Sequence, residues 1–136
     1  MIQLLQRHGF IYDQLPAILW AVLMFVLSSI PGVTLPDLKF VPSDKAVHVF
    51  AYFILCALSY RALLYQDRFP VLARRSLAIA VISSILYGIS DEFHQSFVPN
   101  REASAFDLAA DSIGALLFLS YAVLRSRSRS KTPKPV

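Results

Sequence analysis

Three short stretches of the sequence carry side chains that could perform acid–base or metal chemistry. They are SDKAVHVFAY at residues 43–52, DEFHQSFVPNR at residues 91–101 and FDLAADSIG at residues 106–114. Imidazole and carboxylate groups exchange protons in catalysis, and both are common ligands of divalent cations. Lysine and arginine in the same stretches could bind a phosphate or a carboxylate. The stretches therefore indicate one polar site that handles a proton, a cation or an anionic substrate.

The candidate residues divide by the chemistry that each side chain can supply. The candidates for catalysis are Glu92, His48, Asp107 and Asp44. The candidates for substrate binding are Lys45, Tyr52, His94, Gln95, Arg101 and Asp111. Eight of these residues are predicted to line one outward-facing pocket: Asp44, Lys45, His48, Glu92, Gln95, Arg101, Asp107 and Asp111.

A divalent cation is a candidate cofactor, with Asp107, Asp111, Glu92 and His48 as candidate ligands. Two carboxylates on one helix face repel each other unless a proton, a cation or a basic residue lies between them. The sequence contains no HEXXH or CXXC motif, so the spacing of the ligands does not identify a metal. The same residues could instead recognise a lipid head group, a peptide or a drug, or lock three helices together.

The elements that must position these residues are membrane helices. Of 136 residues, 56% are hydrophobic and 16% are charged, which is more apolar than an average soluble domain. Four apolar runs are candidate spans, at residues 15–30, 46–64, 76–89 and 105–124. The first could be a signal peptide, but it has a thin basic region and no clear cleavage site, so we favour a retained helix.

The sequence thus predicts an all-α integral membrane protein with four transmembrane helices and both termini in the cytoplasm. These helices form a single domain at residues 1–124. A basic cytoplasmic tail at residues 125–136 is predicted to be disordered, since it is polar and contains proline.

The third apolar run is too short to cross a bilayer by itself. Residues 76–89 would make a helix of about 21 Å, against a hydrocarbon core of about 30 Å. Extension to Gln95 gives about 20 residues. On this interpretation Asp91, Glu92 and His94 belong to the helix and lie at the membrane boundary.

The fourth run places its polar and small residues on one face. It begins near Ser104, a suitable N-cap. Asp107, Asp111 and Gly114 follow at spacings of four and three, which put them on the same helix face. Ala110 and Gly114 form a small-xxx-small pair that would let another helix approach closely.

The basic residues of the connections predict the orientation. The second connection contains Arg68, Arg74 and Arg75, and the segment at residues 125–136 contains five lysines and arginines. The first and third connections carry fewer basic residues. The positive-inside rule therefore places both termini in the cytoplasm and the polar site at the outer face.

Taken in order, SDKAVHVFAY and YGISDEFHQSFVPNREASAFDLAADSIGALL resemble the VanZ-like family of bacterial membrane proteins. The residues that match its three blocks are Asp44, Lys45, His48, Tyr52, Asp91, Glu92, His94, Gln95, Pro99, Arg101, Asp107, Asp111 and Gly114. The chain departs from the pattern at Asp111, where some members have asparagine, and at Asn100, where glycine is common. The additional carboxylate favours a cation or a protonated carboxyl at this position.

The resemblance implies a four-helix protein of the bacterial cytoplasmic (inner) membrane, in a family known from a teicoplanin-resistance protein. We predict a cell-envelope protein that acts on or binds a lipid-linked or cell-surface substrate, with an effect on glycopeptide or lipoglycopeptide susceptibility. Its enzyme form is an intramembrane hydrolase or transferase on a lipid-linked substrate. The expected partners are membrane lipids and that substrate, with an oligomer as an option and no nucleic acid. The alternatives are a non-catalytic binding or structural protein and, less favoured because no inverted repeat is seen, a small oligomeric transporter.

Overall fold

The computed structural model describes residues 9–31 and 44–130. They form the helices α1 (Phe10–Asp13), α2 (Leu15–Ser28), α3 (Asp44–Leu64), α4 (Pro70–Arg74), α5 (Ser76–Gln95) and α6 (Ala105–Ser130). No strand occurs within these two ranges, so the predicted all-α fold class is confirmed.

Three of these helices, α3, α5 and α6, are long and apolar enough to cross a membrane. Helix α5 has 20 residues and ends at Gln95. This confirms the predicted extension of the third apolar run beyond residue 89. Helix α6 continues to Ser130, so the predicted helix end at residue 124 is too early. The residues that follow Leu124 alternate arginine and serine with no proline before Pro133, and arginine is a good helix former. Residues 131–136 of the predicted tail lie outside the described residues.

The remaining predicted span corresponds to α2, which is shorter than the other three. It has 14 residues, or about 21 Å at 1.5 Å per residue, so it does not reach across about 30 Å of hydrocarbon by itself. Pro16 near its start has no N–H to donate to the carbonyl of Tyr12, which accounts for the break between α1 and α2. The structure therefore supports three membrane-compatible helices and one shorter apolar helix.

Helix α3 lies at the centre of the bundle and packs against α2, α5 and α6. Its closest approach to α6 is at Gly114, where a Cβ atom would lie 2.3 Å from the carbonyl oxygen of Val49 and 2.9 Å from the amide nitrogen of Phe53. Only a residue without a side chain allows the two backbones to come so close. Farther along α3, small and aromatic side chains fill the core: Cys56, Ala80, Val81, Ala115 and Phe118.

The outer surface of the bundle is strongly apolar. Phe50 on α3, Ile82 and Leu86 on α5 and Leu117 on α6 are all exposed. Large apolar side chains spread over several helices are unusual on the surface of a soluble monomer and normal on a surface that contacts lipid tails. The surface therefore agrees with helix length in indicating a membrane protein.

An ion pair fixes the start of α2 against the end of α3. The carboxylate of Asp13 lies at the break between α1 and α2, is fully buried, and accepts a 3.3 Å hydrogen bond from Nε of Arg61. Beside it, the Gln14 amide donates to the carbonyl of Ala62 at 3.4 Å. These contacts join the two helices at the end of the bundle opposite the N-terminus of α3.

We expect Arg61→Gln to destabilise the protein by about 1–3 kcal/mol, because it leaves the Asp13 carboxylate buried without its cation. Adding Asp13→Asn should recover most of the loss, since a neutral amide is easier to bury. The midpoint of denaturant unfolding in detergent micelles measures both effects. Arg68→Gln, at an exposed arginine on the same end, should change the free energy of unfolding by less than about 0.5 kcal/mol. Equal losses in Arg61→Gln and in Arg68→Gln would contradict this account of the pair.

Candidate functional site

The polar residues gather where three helices end on the same side of the bundle. Helix α3 contributes its N-terminal residues Asp44, Lys45 and His48, α5 contributes Glu92 near its C-terminus, and α6 contributes Asp107 and Asp111 from its first two turns. Helices α3 and α6 run in the same direction and α5 runs opposite to both, which brings these three ends together. The cluster thus contains all four predicted catalytic residues and two of the predicted binding residues.

The part of the cluster nearest the helix ends is organised around a lysine. The ammonium group of Lys45 forms a close ion pair with Asp107 and lies 3.5 Å from Oδ2 of Asp44. The side chains of Lys45 and Asp44 are 47% and 74% exposed, whereas that of Asp107 is only 12% exposed. This part of the cluster therefore has access to the surroundings of the protein.

Deeper in the bundle, His48 pairs with a fully buried carboxylate. Its Nδ1 lies 2.8 Å from Oδ1 of Asp111, whose side chain is 0% exposed. Nearby, Oε2 of Glu92 accepts a 2.6 Å hydrogen bond from the backbone N–H of Ser104. One oxygen of each carboxylate is thus held in place by a protein group.

The second oxygen of each of these carboxylates is buried without a protein partner. Oδ2 of Asp111 and Oε1 of Glu92 have no hydrogen-bond partner among the described residues, and the hydroxyl of the buried Tyr52 has none either. Buried polar atoms in native proteins are nearly always satisfied. Asp13 and Asp91 outside this cluster also keep one such oxygen each, so the free oxygens of Glu92 and Asp111 indicate a binding place through the further ligand atoms close to them.

Two overlapping groups in the cluster have ligand atoms close enough to share one ion. In the inner set, His48, Glu92 and Asp111 each offer a ligand atom, all within 4.8 Å of one another. In the outer set, Asp44, His48 and Asp107 do the same. The ammonium group of Lys45 contacts both carboxylates of the outer set, whereas the two carboxylates of the inner set have the imidazole of His48 beside them.

Gly88 on α5 makes room for this arrangement. A Cβ atom at that position would lie 3.1 Å from Oδ2 of Asp111 and 3.3 Å from Cε1 of Tyr52. Asp111 and Tyr52 therefore occupy the space that a side chain at residue 88 would need. Gly88 is not among the predicted site residues, although its position one turn before Asp91 and Glu92 is a signal that the sequence contains.

We expect Gly88→Ala to lower activity about tenfold with little change in stability. The added methyl must displace the Asp111 carboxylate by a few tenths of an ångström, and small misplacements of reacting groups are costly in catalysis. The better helix propensity of alanine, about 1 kcal/mol, offsets the crowding. Activity and the unfolding midpoint would be measured on the same preparation. If the unfolding midpoint of Gly88→Ala fell strongly while its activity stayed complete, Gly88 would be needed for helix packing and not for activity.

Two predicted binding residues, Gln95 and Arg101, lie in a neighbouring network rather than in the cluster. The Gln95 amide donates to Oδ2 of the buried Asp91 at 2.9 Å, and Nη1 of Arg101 donates to Oε1 of Gln95 at 3.4 Å. Arg101 also donates to the carbonyls of Leu27 and Ile30, at 3.3 and 2.9 Å, at the end of α2. A cation at a helix C-terminus is favourable, because the final carbonyls lack partners there.

Asn100 directs Arg101 into this network. Its φ of 61° is in the left-handed region that few residues other than glycine and asparagine adopt readily. The next N–H, that of Arg101, donates to the carbonyl of Val98 at 3.1 Å and closes the turn. The asparagine in place of a glycine is therefore suited to the backbone conformation.

His94 lies apart from both sets. Its ring stacks on Phe25 of α2, with the ring centroids 4.5 Å apart. Two helical residues from Glu92, it is rotated by about 200° around the helix axis, so the two side chains point in different directions. That spacing was available in the sequence and argues against a shared site.

The chain is similar to known proteins over most of its length. A family model described as VanZ/LLP1 matches residues 14–125, a range that includes every candidate site residue. The chain is 27% identical over 109 residues to an uncharacterized protein of Schizosaccharomyces pombe. That alignment covers 79% of this chain and 63% of the relative, so the chain spans less than two thirds of the relative's length. No solved structure matches the chain.

Proposed function

This chain belongs to the VanZ/LLP1 family, and from that membership and the geometry of the cluster we propose that it is a membrane-bound hydrolase or transferase acting on a lipid-linked substrate. The observation that carries the proposal is that half-buried His48 and the buried carboxylates of Glu92 and Asp111 are brought from three helices to one point. Ionisable groups in membrane helices are costly to bury and are usually retained for function.

A purely structural lock accounts less well for the same residues. An ion pair that only joins helices needs one cation for each buried carboxylate, as Arg61 supplies to Asp13, whereas Glu92 and Asp111 are buried beside one imidazole. An unsatisfied buried oxygen adds a further cost of about 1–3 kcal/mol. Among the described residues, Glu92 and Asp111 each keep one buried oxygen without a partner. That cost is understandable if these oxygens act on a reactant.

The inner and outer sets suit different roles. The inner set is proposed to activate the attacking oxygen of a water or a hydroxyl, with Asp111 orienting the imidazole of His48. Lys45, half-exposed beside the cluster, is proposed to bind the anionic group of the substrate. Asp44 and Asp107 flank that lysine and are proposed to hold its ammonium group in position, while the proton that His48 removes from the attacking oxygen is proposed to pass on to the leaving group.

Exposed aromatic rings beside the cluster support a substrate with a lipid chain. The rings of Phe93, near the end of α5, and Phe97, just after it, have their centroids 5.1 Å apart. Phe106 at the start of α6 is 79% exposed. These rings give the polar end of the bundle an apolar rim. A lipid-linked substrate could lie along this rim with its polar group at Lys45.

The cellular setting is part of the proposal. We place the chain in the bacterial cytoplasmic membrane, with the cluster at the outer face and both termini inside, because Arg74, Arg75 and Arg125 lie at the other end of the helices. If the substrate is a precursor of the cell wall, altered glycopeptide or lipoglycopeptide susceptibility follows. A relative in Schizosaccharomyces pombe favours a lipid-linked substrate that is not restricted to bacterial walls.

The test is lipid profiling of a strain that lacks this protein. Accumulation of one polar lipid or lipid-linked intermediate is expected, and rescue with the unmodified chain should remove it. Rescue with Glu102→Gln, which changes an exposed carboxylate in the turn before α6, should remove it equally. His48→Gln should not. An unchanged lipid profile in the deletion strain would favour the non-catalytic interpretation.

A further inference from the structure

We infer that the inner set, His48, Glu92 and Asp111, binds one divalent cation. The first reason is that each of the two carboxylates keeps one free oxygen. In each carboxylate one oxygen is fixed by a protein group, Ser104 N–H for Glu92 and His48 for Asp111, and the other is buried without a partner among the described residues. Metal ligands are typically held in this way, with one contact that orients the group and one atom for the ion.

The second reason is the balance of charge. Two carboxylates are buried beside one imidazole, and buried charges in proteins are paired or coordinate a metal. The nearest lysine, Lys45, is already engaged by Asp107 and Asp44. The outer set therefore has an ammonium group and an exposed carboxylate, whereas the inner set has two buried carboxylates with no ammonium group beside them.

The third reason is the room around the set. Gly88 has no side chain to fill the space beside Oδ2 of Asp111, and the ring atom Cε1 of Tyr52 borders the same space. Three protein ligands leave further coordination positions for water and for an oxygen of the substrate. That is the pattern of catalytic rather than structural metal sites.

The ligand types limit which cations fit. Two carboxylates and one imidazole suit a cation that accepts both oxygen and nitrogen, such as Mn²⁺ or Zn²⁺, better than Ca²⁺. Such an ion lowers the pKa of a bound water and so supplies the attacking oxygen at neutral pH. The inference deepens the proposed function, but cation binding can be measured without any substrate, so the two can fail separately.

The experiment uses the full chain, purified in detergent and freed of metal with a chelator. Titration with MnCl₂ is followed by the loss of the free Mn²⁺ signal in electron paramagnetic resonance, and ZnCl₂ is added as a competitor. We expect one Mn²⁺ per chain, displaced by Zn²⁺, with a ¹⁴N coupling in pulsed spectra that disappears in His48→Ala. Glu92→Gln and Asp111→Asn should each weaken binding by about a hundredfold or more.

Control variants make the result specific to the inner set. Glu102→Gln should bind Mn²⁺ as the unmodified chain does, because residue 102 is exposed and outside the cluster. Circular dichroism and gel filtration would verify that each variant keeps its fold. The absence of a bound Mn²⁺ or Zn²⁺ in the unmodified chain would overturn the inference without reference to any variant. Loss of binding in Asp107→Asn with retention in Glu92→Gln would overturn it as well, by assigning the ion to the outer set.

Discussion

Glu92→Gln is expected to reduce activity at least about a hundredfold while the protein remains folded. General acid–base and metal-assisted steps each contribute at least this factor to typical enzymes. The substitution removes a negative charge and one proton acceptor, yet a glutamine carbonyl can still accept the hydrogen bond from Ser104 N–H that Glu92 accepts at 2.6 Å. The glutamine side chain should therefore keep the position of Glu92 but no longer accept a proton or carry a negative charge. The amount of lipid-linked substrate converted by the purified protein in mixed micelles would measure the effect.

The matched control for this prediction is Glu102→Gln, the same chemical change at an exposed position ten residues along the chain. It should retain full activity, and both variants should show the helix content of the unmodified protein. Asp107→Asn is expected to behave like Glu92→Gln. If Glu92→Gln and Asp107→Asn both fail to fold, the cluster is a structural lock and the catalytic assignment is wrong.

Gly114→Ala is expected to destabilise the bundle by about 1–3 kcal/mol, which is a large effect for one methyl group. The added Cβ would lie 2.3 Å from the Val49 carbonyl and 2.9 Å from the Phe53 amide. Both contacts are with backbone atoms, so no side-chain rotation relieves them, and α3 and α6 must move apart. The same movement separates Lys45 from Asp107, so activity should fall together with stability. Thermal unfolding in detergent and the activity assay would measure the two losses.

Gly9→Ala is the control for that substitution. A Cβ atom at Gly9 would meet nothing within 4 Å, so the same glycine-to-alanine change should leave the unfolding midpoint unaltered. Gly88→Ala offers an intermediate case, with contacts of 3.1 Å and 3.3 Å to side-chain atoms. A midpoint for Gly114→Ala equal to that of Gly9→Ala would show that the helices adjust at no cost.

The sequence predicted the site well where helical periodicity and helix length were enough. The length of the third apolar run correctly extended α5 to Gln95. The spacing of Asp107, Asp111 and Gly114 correctly placed them on one face, which the structure turns towards α3. Both arguments depend only on the geometry of a single helix.

The sequence did not predict how each helix is rotated about its axis or which side-chain contacts join it to its neighbours. Asp91 is buried and binds Gln95, although only its neighbour Glu92 was selected as a catalytic candidate. Arg101 binds carbonyls at the end of α2, and no pattern within a single helix could have named those partners. Such contacts depend on tertiary packing, which local spacing does not encode. The roles of the site residues stay predictions until the variants are tested.

The arginine contacts of α2 have a consequence for the order in which the protein assembles. The start of α2 is held through Asp13 by Arg61, and its end is held by Arg101, through bonds that reach back 48 and 71 residues along the chain. A ribosome makes α2 well before it makes either arginine. Helix α2 therefore completes its docking only after α5 and the turn at Asn100 have been synthesised, although α2 is made before α3, α5 and α6.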